Sequence, residues 1–185
     1  MDVLRELATI GAGHAATAIS KMAGKRIDIE VPEVYGCSVE EVPAIVGKTE
    51  VVLAVRLEFD EEKPGTFFLL LKEEDALPLL ALMLGRKVER IGELESSAIL
   101  EFGNILAGAF LSAVANFLDG VIRQYNPSMK VDMIGAILDE TLAEYGRGIE
   151  KVWLTDVSFA MEGNLCNGRL LFMPFFDFMH EVLKR

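Results

Sequence analysis

The sequence is poor in cysteine, histidine and basic side chains, and each shortage removes a class of function. Two cysteines, Cys37 and Cys166, stand 129 positions apart without metal-ligand spacing, which argues against a disulfide framework or a cysteine-built zinc site. Free, mostly buried thiols of a reducing compartment are the expectation. The 18 Lys and Arg against 29 Asp and Glu leave a formal net charge of −11, a balance that opposes nucleic-acid phosphates and anionic lipid surfaces. The two histidines, His14 and His180, lack a Ser, Cys or carboxylate partner at recognisable spacing and read as structural or surface residues. No metal site is expected. The longest apolar stretch, 105–118, is interrupted by Ser112 and Asn116 and falls short of the roughly 20 residues of a membrane span, so it reads as a buried core helix. Acidic residues among the first six, with no basic n-region, argue against a secretory signal, and a cytoplasmic location is expected. No Pro/Ser-rich linker divides the 185 residues, a length that suits one compact domain.

What the sequence does have is a repetition. Asp2, Glu6, Thr9 and Pro32 recur 95 positions later as Ser97, Glu101, Asn104 and Pro127, and Ile10, Ala12, Gly13 and Ala18 correspond to Ile105, Ala107, Gly108 and Ala113. Two copies of one site follow, of which only the second has a carboxamide where the first has a hydroxyl.

Apolar spacing predicts a helix over 2–23 ending at Gly24, short strands over 27–31 and 34–38, and a short helix over 39–46 that Ser38 could cap. A hairpin over 50–59 and 66–72, around a turn cluster at 60–65, and a helix over 73–84 ending at Gly85 complete the first half. The second half repeats the order: a helix over 93–119 ended by Gly120, strands over 122–125 and 130–133, and a helix over 134–145. A hairpin over 151–161 and 167–173 follows, and Pro174 is expected to open a last helix ending near 184.

Spacings of i, i+4 and i+7 place Ser97, Glu101 and Asn104 in a row on one helix face. Gly108 and Ser112 extend the row, while Leu100, Phe102, Leu106, Phe110, Val114 and Phe117 occupy much of the remaining circumference. That stripe is expected to face solvent. Asp2, Glu6, Thr9, Gly13 and Thr17 form the same stripe on the first helix. From Asn104 to residue 119 a helix climbs about 22 Å, and an extended return over 120–126 covers about 23 Å. Pro127 is thus expected roughly level with Asn104, stiffening the border of the stripe, and Pro32 is expected to do the same for Thr9.

Blander readings exist for each feature. Glu101 and Asn104 could be a solvated helix face, a reading that the repetition and the prolines weigh against. Gly11, Gly13 and Ala16 satisfy a G-x-G-x-x-A dinucleotide pattern, but the residues before them have helical rather than strand periodicity. Gly13 and Gly108 are better read as letting another backbone approach the stripe, or as letting helices pack closely.

The composite pattern, Asp or Ser, three residues, Glu, two residues, Asn, 22 residues, Pro, resembles the motif of the CheC, CheX and FliY phosphatases of bacterial and archaeal chemotaxis. The duplicated arrangement and the IGAGHAATAIS and GNILAGAFLSA segments make the whole chain most similar to CheC. With the predicted elements, the expected fold is α+β: one CheC-like domain of two pseudo-symmetric halves, about 1–90 and 91–185. These share one central, mainly antiparallel sheet with the two long motif helices on one face.

The resemblance implies hydrolysis of the phosphoaspartate of a CheY-type response regulator. Asn104 would orient the attacking water, Glu101 would pair with a lysine of the regulator, and Ser97 and Pro127 would shape the site. Mg²⁺ would come from the regulator, with no cofactor of the chain's own. In the first site, Asp2, Glu6 and Pro32 match but Thr9 replaces the asparagine, so weak or absent activity is expected there. The alternative implied by the same resemblance is a non-catalytic adaptor that binds phosphorylated CheY and the deamidase CheD.

Overall fold

Strand and helix follow the period of the apolar residues. The computed structural model describes residues 2–59, 65–145, 149 and 151–174. The elements run α1 (Asp2–Ala23), β1 (Ile27–Glu30), β2 (Tyr35–Ser38), α2 (Val42–Val46), β3 (Val51–Phe59), β4 (Gly65–Leu71), α3 (Glu73–Leu84), α4 (Glu93–Phe117), β5 (Ser128–Met133), α5 (Ile134–Tyr145), β6 (Lys151–Met161) and β7 (Asn164–Pro174). The strands form one seven-stranded sheet in the order β1-β6-β7-β4-β3-β5, with β2 also on β6, and every pairing is antiparallel.

Both faces of this sheet are covered. Alternation along β3 sends Leu53, Val55, Leu57 and Phe59 into the main core beneath α1, α3 and α4, while Val52 and Ala54 join a second core with α2 and α5. Central β4 is buried at every position and accordingly reads as a continuous apolar run from Phe67 to Leu71. Helix α4 is long and apolar enough by composition to cross a membrane, but here Ile99, Phe102, Leu106, Phe110 and Val114 are fully or nearly fully buried in the core. Helix α1 lies against α4 at Gly11, where a Cβ would stand 2.8 Å from Phe110 Cα; α4 sits on β3 at Gly103, where a Cβ would stand 2.6 Å from Val55 Cγ1. The helix-packing role expected of Gly13 therefore belongs to Gly11, two residues earlier. Nothing lies within 4 Å of a Cβ at Gly13.

Several boundaries differ from expectation for local reasons. Helix α2 starts at Val42 rather than at 39, because the Glu41 carboxylate accepts hydrogen bonds from the Ser38 N–H (2.8 Å) and hydroxyl (3.0 Å). Ser38 donates to Glu41 instead of capping the helix. The left-handed residue after α4 is Asp119 (φ 51°) rather than Gly120, whose N–H closes the helix end on the Ala115 carbonyl at 2.9 Å. The strand expected at 122–125 is reduced to one bridge, Gln124 to Phe59. The second hairpin turns at Glu162 and Gly163, both at positive φ, so β7 begins at Asn164. Pro174, expected to open a helix, is the last residue of β7 and pairs with Gly65. The remainder of that expected helix, and the turn cluster over 60–64, lie outside the described residues.

The register carries the two halves' correspondence into three dimensions. Tyr35 pairs with Leu154 and Lys130 with Ala54, so residues 95 apart in β2 and β5 meet residues 100 apart in β6 and β3. Ile29 opposite Phe159 and Gln124 opposite Phe59 repeat those two offsets. Each half's early strands thus pair with the other half's hairpin, and β4 meets β7 in the middle.

Candidate functional site

The stripe on α4 lies at the surface because the rest of the helix is committed to the core. Ser97 and Glu101 are exposed and Asn104 is half-buried. Ser97 donates its hydroxyl proton to the Glu93 carbonyl at 3.0 Å. Glu101 sits one turn before Asn104, about 4.5 Å along the axis, so a carboxylate and a carboxamide project side by side from a rigid element. The start of that element is fixed by Glu95, whose carboxylate accepts from the Gly92 N–H at 3.0 Å and pairs with Arg86. Hydrogen bonds from its own and the Gly92 backbone N–H, with Arg86 beside it, hold the Glu95 carboxyl below the usual carboxylate range.

The chain returns beside the stripe, as expected, but a different residue reaches it. The Phe59 bridge and a hydrogen bond from the Tyr125 N–H to the Glu58 carbonyl (2.9 Å) tie the return segment to β3. From there Gln124 donates through Nε2 to Asn104 Oδ1 at 3.4 Å. A Cβ on Gly108 would stand 2.8 Å from Gln124 Oε1, so this glycine leaves room for a side chain, not for a backbone. Pro127, three residues on, is half-buried. Sequence reading missed Gln124. The available signal was its counterpart 95 positions earlier, apolar Ile29, at a place where the two halves should otherwise match.

The first stripe is assembled differently. Glu6 and Thr9 are exposed, and the Thr9 hydroxyl donates to the Arg5 carbonyl at 2.8 Å within the helix. Its one proton is therefore engaged locally. Ile29 packs against the main core where Gln124 stands in the other half. Val31 and Val34 line a cavity of about 30 Å³ with Leu4, Ala8 and Gly11, which brings the return loop to the level of Thr9. Pro32 is exposed and borders a separate cavity of about 480 Å³ on the α2 side, where Lys72 pairs with Glu50 and Arg169 with Asp156, each at 2.6 Å. The side chain of Asp2 lies outside what is described.

The walls beside the two stripes also differ. Val51, Val131 and Met133 lie on the α1 and α4 face of the sheet, paired as Met133 to Val51 and Val131 to Leu53, and are 57%, 58% and 45% exposed. Since Gln124 pairs beside Phe59 and Gly103 lies over Val55, the strand runs from there toward the amino-terminal half of α4. Half-buried Leu100 lies on that part of the helix. The corresponding positions around the first stripe are Lys151, Gly36, Ser38 and Arg5. One stripe has an apolar wall, the other a polar and basic one.

Among the described residues no group of three or more His, Cys, Asp and Glu side chains stands together. The chemistry on offer is that of a carboxamide, able to donate at Nδ2 and accept at Oδ1, next to a carboxylate that can hold a partner's cation.

Comparison with known proteins bears on the family and the fold. Residues 1–35 match the model of the CheC-like family. Over 164 residues, 85% of this chain and 78% of the relative, the sequence is 33% identical to the CheY-P phosphatase CheC of Bacillus subtilis (strain 168). Among solved structures, Thermotoga maritima FliY superposes with a TM-score of 0.78 at 21% identity, covering 99% of this chain and 93% of that one. The FliM middle domain of Vibrio alginolyticus superposes with a TM-score of 0.70 at 12% identity, covering 98% of each chain. At those identities the structural likeness speaks for the fold.

Proposed function

The chain belongs to the CheC family, and from that premise we propose that it hydrolyses the phosphoaspartate of a CheY-type response regulator in chemotaxis, with the second stripe as its site. The observation that carries the proposal is the pairing of exposed Glu101 with Asn104 on one face of a rigid helix, where a docked partner would meet both.

An acyl phosphate is already activated, and phosphoryl transfer through a loose transition state needs positioning and charge stabilisation more than covalent help. Asn104 would enter the regulator's site and hold a water in line with the phosphorus. The water oxygen forms the new P–O bond as the bond to the acyl oxygen breaks. The aspartate carboxylate leaves, and the water's proton ends on inorganic phosphate or solvent. Glu101 would pair with a lysine of the regulator, Ser97 and Pro127 would shape the surface, and Mg²⁺ held by the regulator would supply the charge stabilisation. The first stripe, with Thr9 and Ile29, is proposed to be weak or silent. The mirrored register supports an origin of the domain in two repeats, about 1–90 and 91–185, and a cytoplasmic setting goes with the proposed partner.

The test is the decay of phosphorylated regulator alone, with this protein, and with Asn104→Ala. Acceleration by the intact protein that disappears in the variant is expected. No acceleration, with regulator binding retained, would overturn the phosphatase and leave an adaptor, for which CheD is the partner to try.

A further inference from the structure

We propose that Gln124 is a positioning residue for Asn104, a proposal that rests on the phosphatase reading above. An exposed carboxamide is free to turn about its last bond, and a turn of half a circle exchanges its donor and its acceptor. In the second stripe that freedom is restricted from one side. Gln124 Nε2 donates to Asn104 Oδ1 at 3.4 Å. This leaves the second lone pair of Oδ1 to accept from a water and directs the Nδ2 protons away from Gln124.

Two features hold Gln124 in place for this, a backbone tie to β3 and room for its side chain. Its backbone is bridged to Phe59, the next N–H, of Tyr125, donates to the Glu58 carbonyl at 2.9 Å, and Gly108 leaves the space its side chain crosses. The first half keeps the equivalent pairing, Ile29 to Phe159, and the equivalent glycine, Gly13, but lacks both carboxamides. Thr9 replaces the asparagine, Ile29 replaces the glutamine, and nothing fills the space over Gly13. Loss of both carboxamides together is what a functional pair predicts; a solvated helix face gives no reason for it.

The experiment uses the full chain with Gln124→Leu, Gln124→Asn and Gly108→Ala, the last placing a methyl in the space that Gln124 crosses. Turnover of phosphorylated regulator is measured alongside the Asn104 side-chain amide signals in NMR. Expected is a kcat roughly tenfold lower for Gln124→Leu and Gly108→Ala at unchanged KM. Gln124→Asn is expected to be intermediate, and the Asn104 amide protons should lose their shift dispersion in step. Unchanged kcat and unchanged Asn104 signals in Gln124→Leu would overturn the proposal while leaving the phosphatase reading intact. An intact protein without turnover would instead remove that reading, and the NMR arm would then decide whether Gln124 orders Asn104 at all.

Discussion

Asn104 and Thr9 occupy equivalent positions, yet their side chains are committed differently. The Thr9 hydroxyl is hydrogen-bonded within its own helix at 2.8 Å, whereas the Asn104 carboxamide projects from its helix toward Gln124. Placing a carboxamide on the first stripe therefore supplies only one member of a pair. In an Asn104→Ala background, Thr9→Asn is expected to restore less than a tenth of the intact turnover, which the decay of phosphorylated regulator would measure. A second contrast involves two glycines on one helix. A Cβ at Gly11 would collide with the Phe110 backbone at 2.8 Å, so Gly11→Leu should destabilise by about 1–3 kcal/mol in chemical denaturation. Gly13 has open space around it, and Gly13→Ala should stabilise by about 0.5–1 kcal/mol through helix propensity. The repeat points to Gly13 and Gly108 for close approach of a backbone or a helix, because it identifies matching positions without saying which side of a helix touches its neighbour.

At the scale of the element, α4 is a long apolar rod whose first turn is secured by Glu95. That carboxyl titrates below its unfolded value of about 4.3, held there by backbone N–H groups and Arg86. Its stabilising contribution is present above that pH and is lost as pH falls through the folded value. Thermal melts between pH 3 and 7 should show a drop at the acid end that flattens in Glu95→Gln. The strands beside α4 make a further prediction. If the apolar wall of Val51, Val131 and Met133 lies under the docked regulator, then Val51→Lys with Met133→Ser, which copies Lys151 and Ser38 beside the first stripe, should raise KM roughly tenfold. kcat should stay unchanged, because Asn104 and Gln124 are untouched. The long helices and the hairpin strands were legible from apolar period alone. The 122–125 segment was not, since one ladder contact rather than a run of them holds it, and Pro174 was misread because a proline suits a strand end as well as a helix start.

For the molecule as a whole, the decisive fact is that neither half owns a complete sheet. Strands β1 and β2 of the first half pair with β6, β5 of the second pairs with β3, and β4 joins β7 at the centre. Residues 1–90 and 91–185 expressed separately should each lack dispersed amide spectra and a cooperative melt, and mixing them should recover both. Independent folding of either half would contradict the interleaved register.

The sequence by itself determined the long helices, the hairpin strands and the two stripes with their unequal residues, because helical and strand periods and a repeated motif are written in local spacing. It also placed Glu101 and Asn104 side by side, since three positions along a helix always are. Tertiary structure alone decided what borders them: Gln124 over Asn104, the apolar edge along β5, and Gly11 against Phe110. Those contacts join residues brought together by sheet register and helix packing, and no local period encodes which distant side chain will arrive.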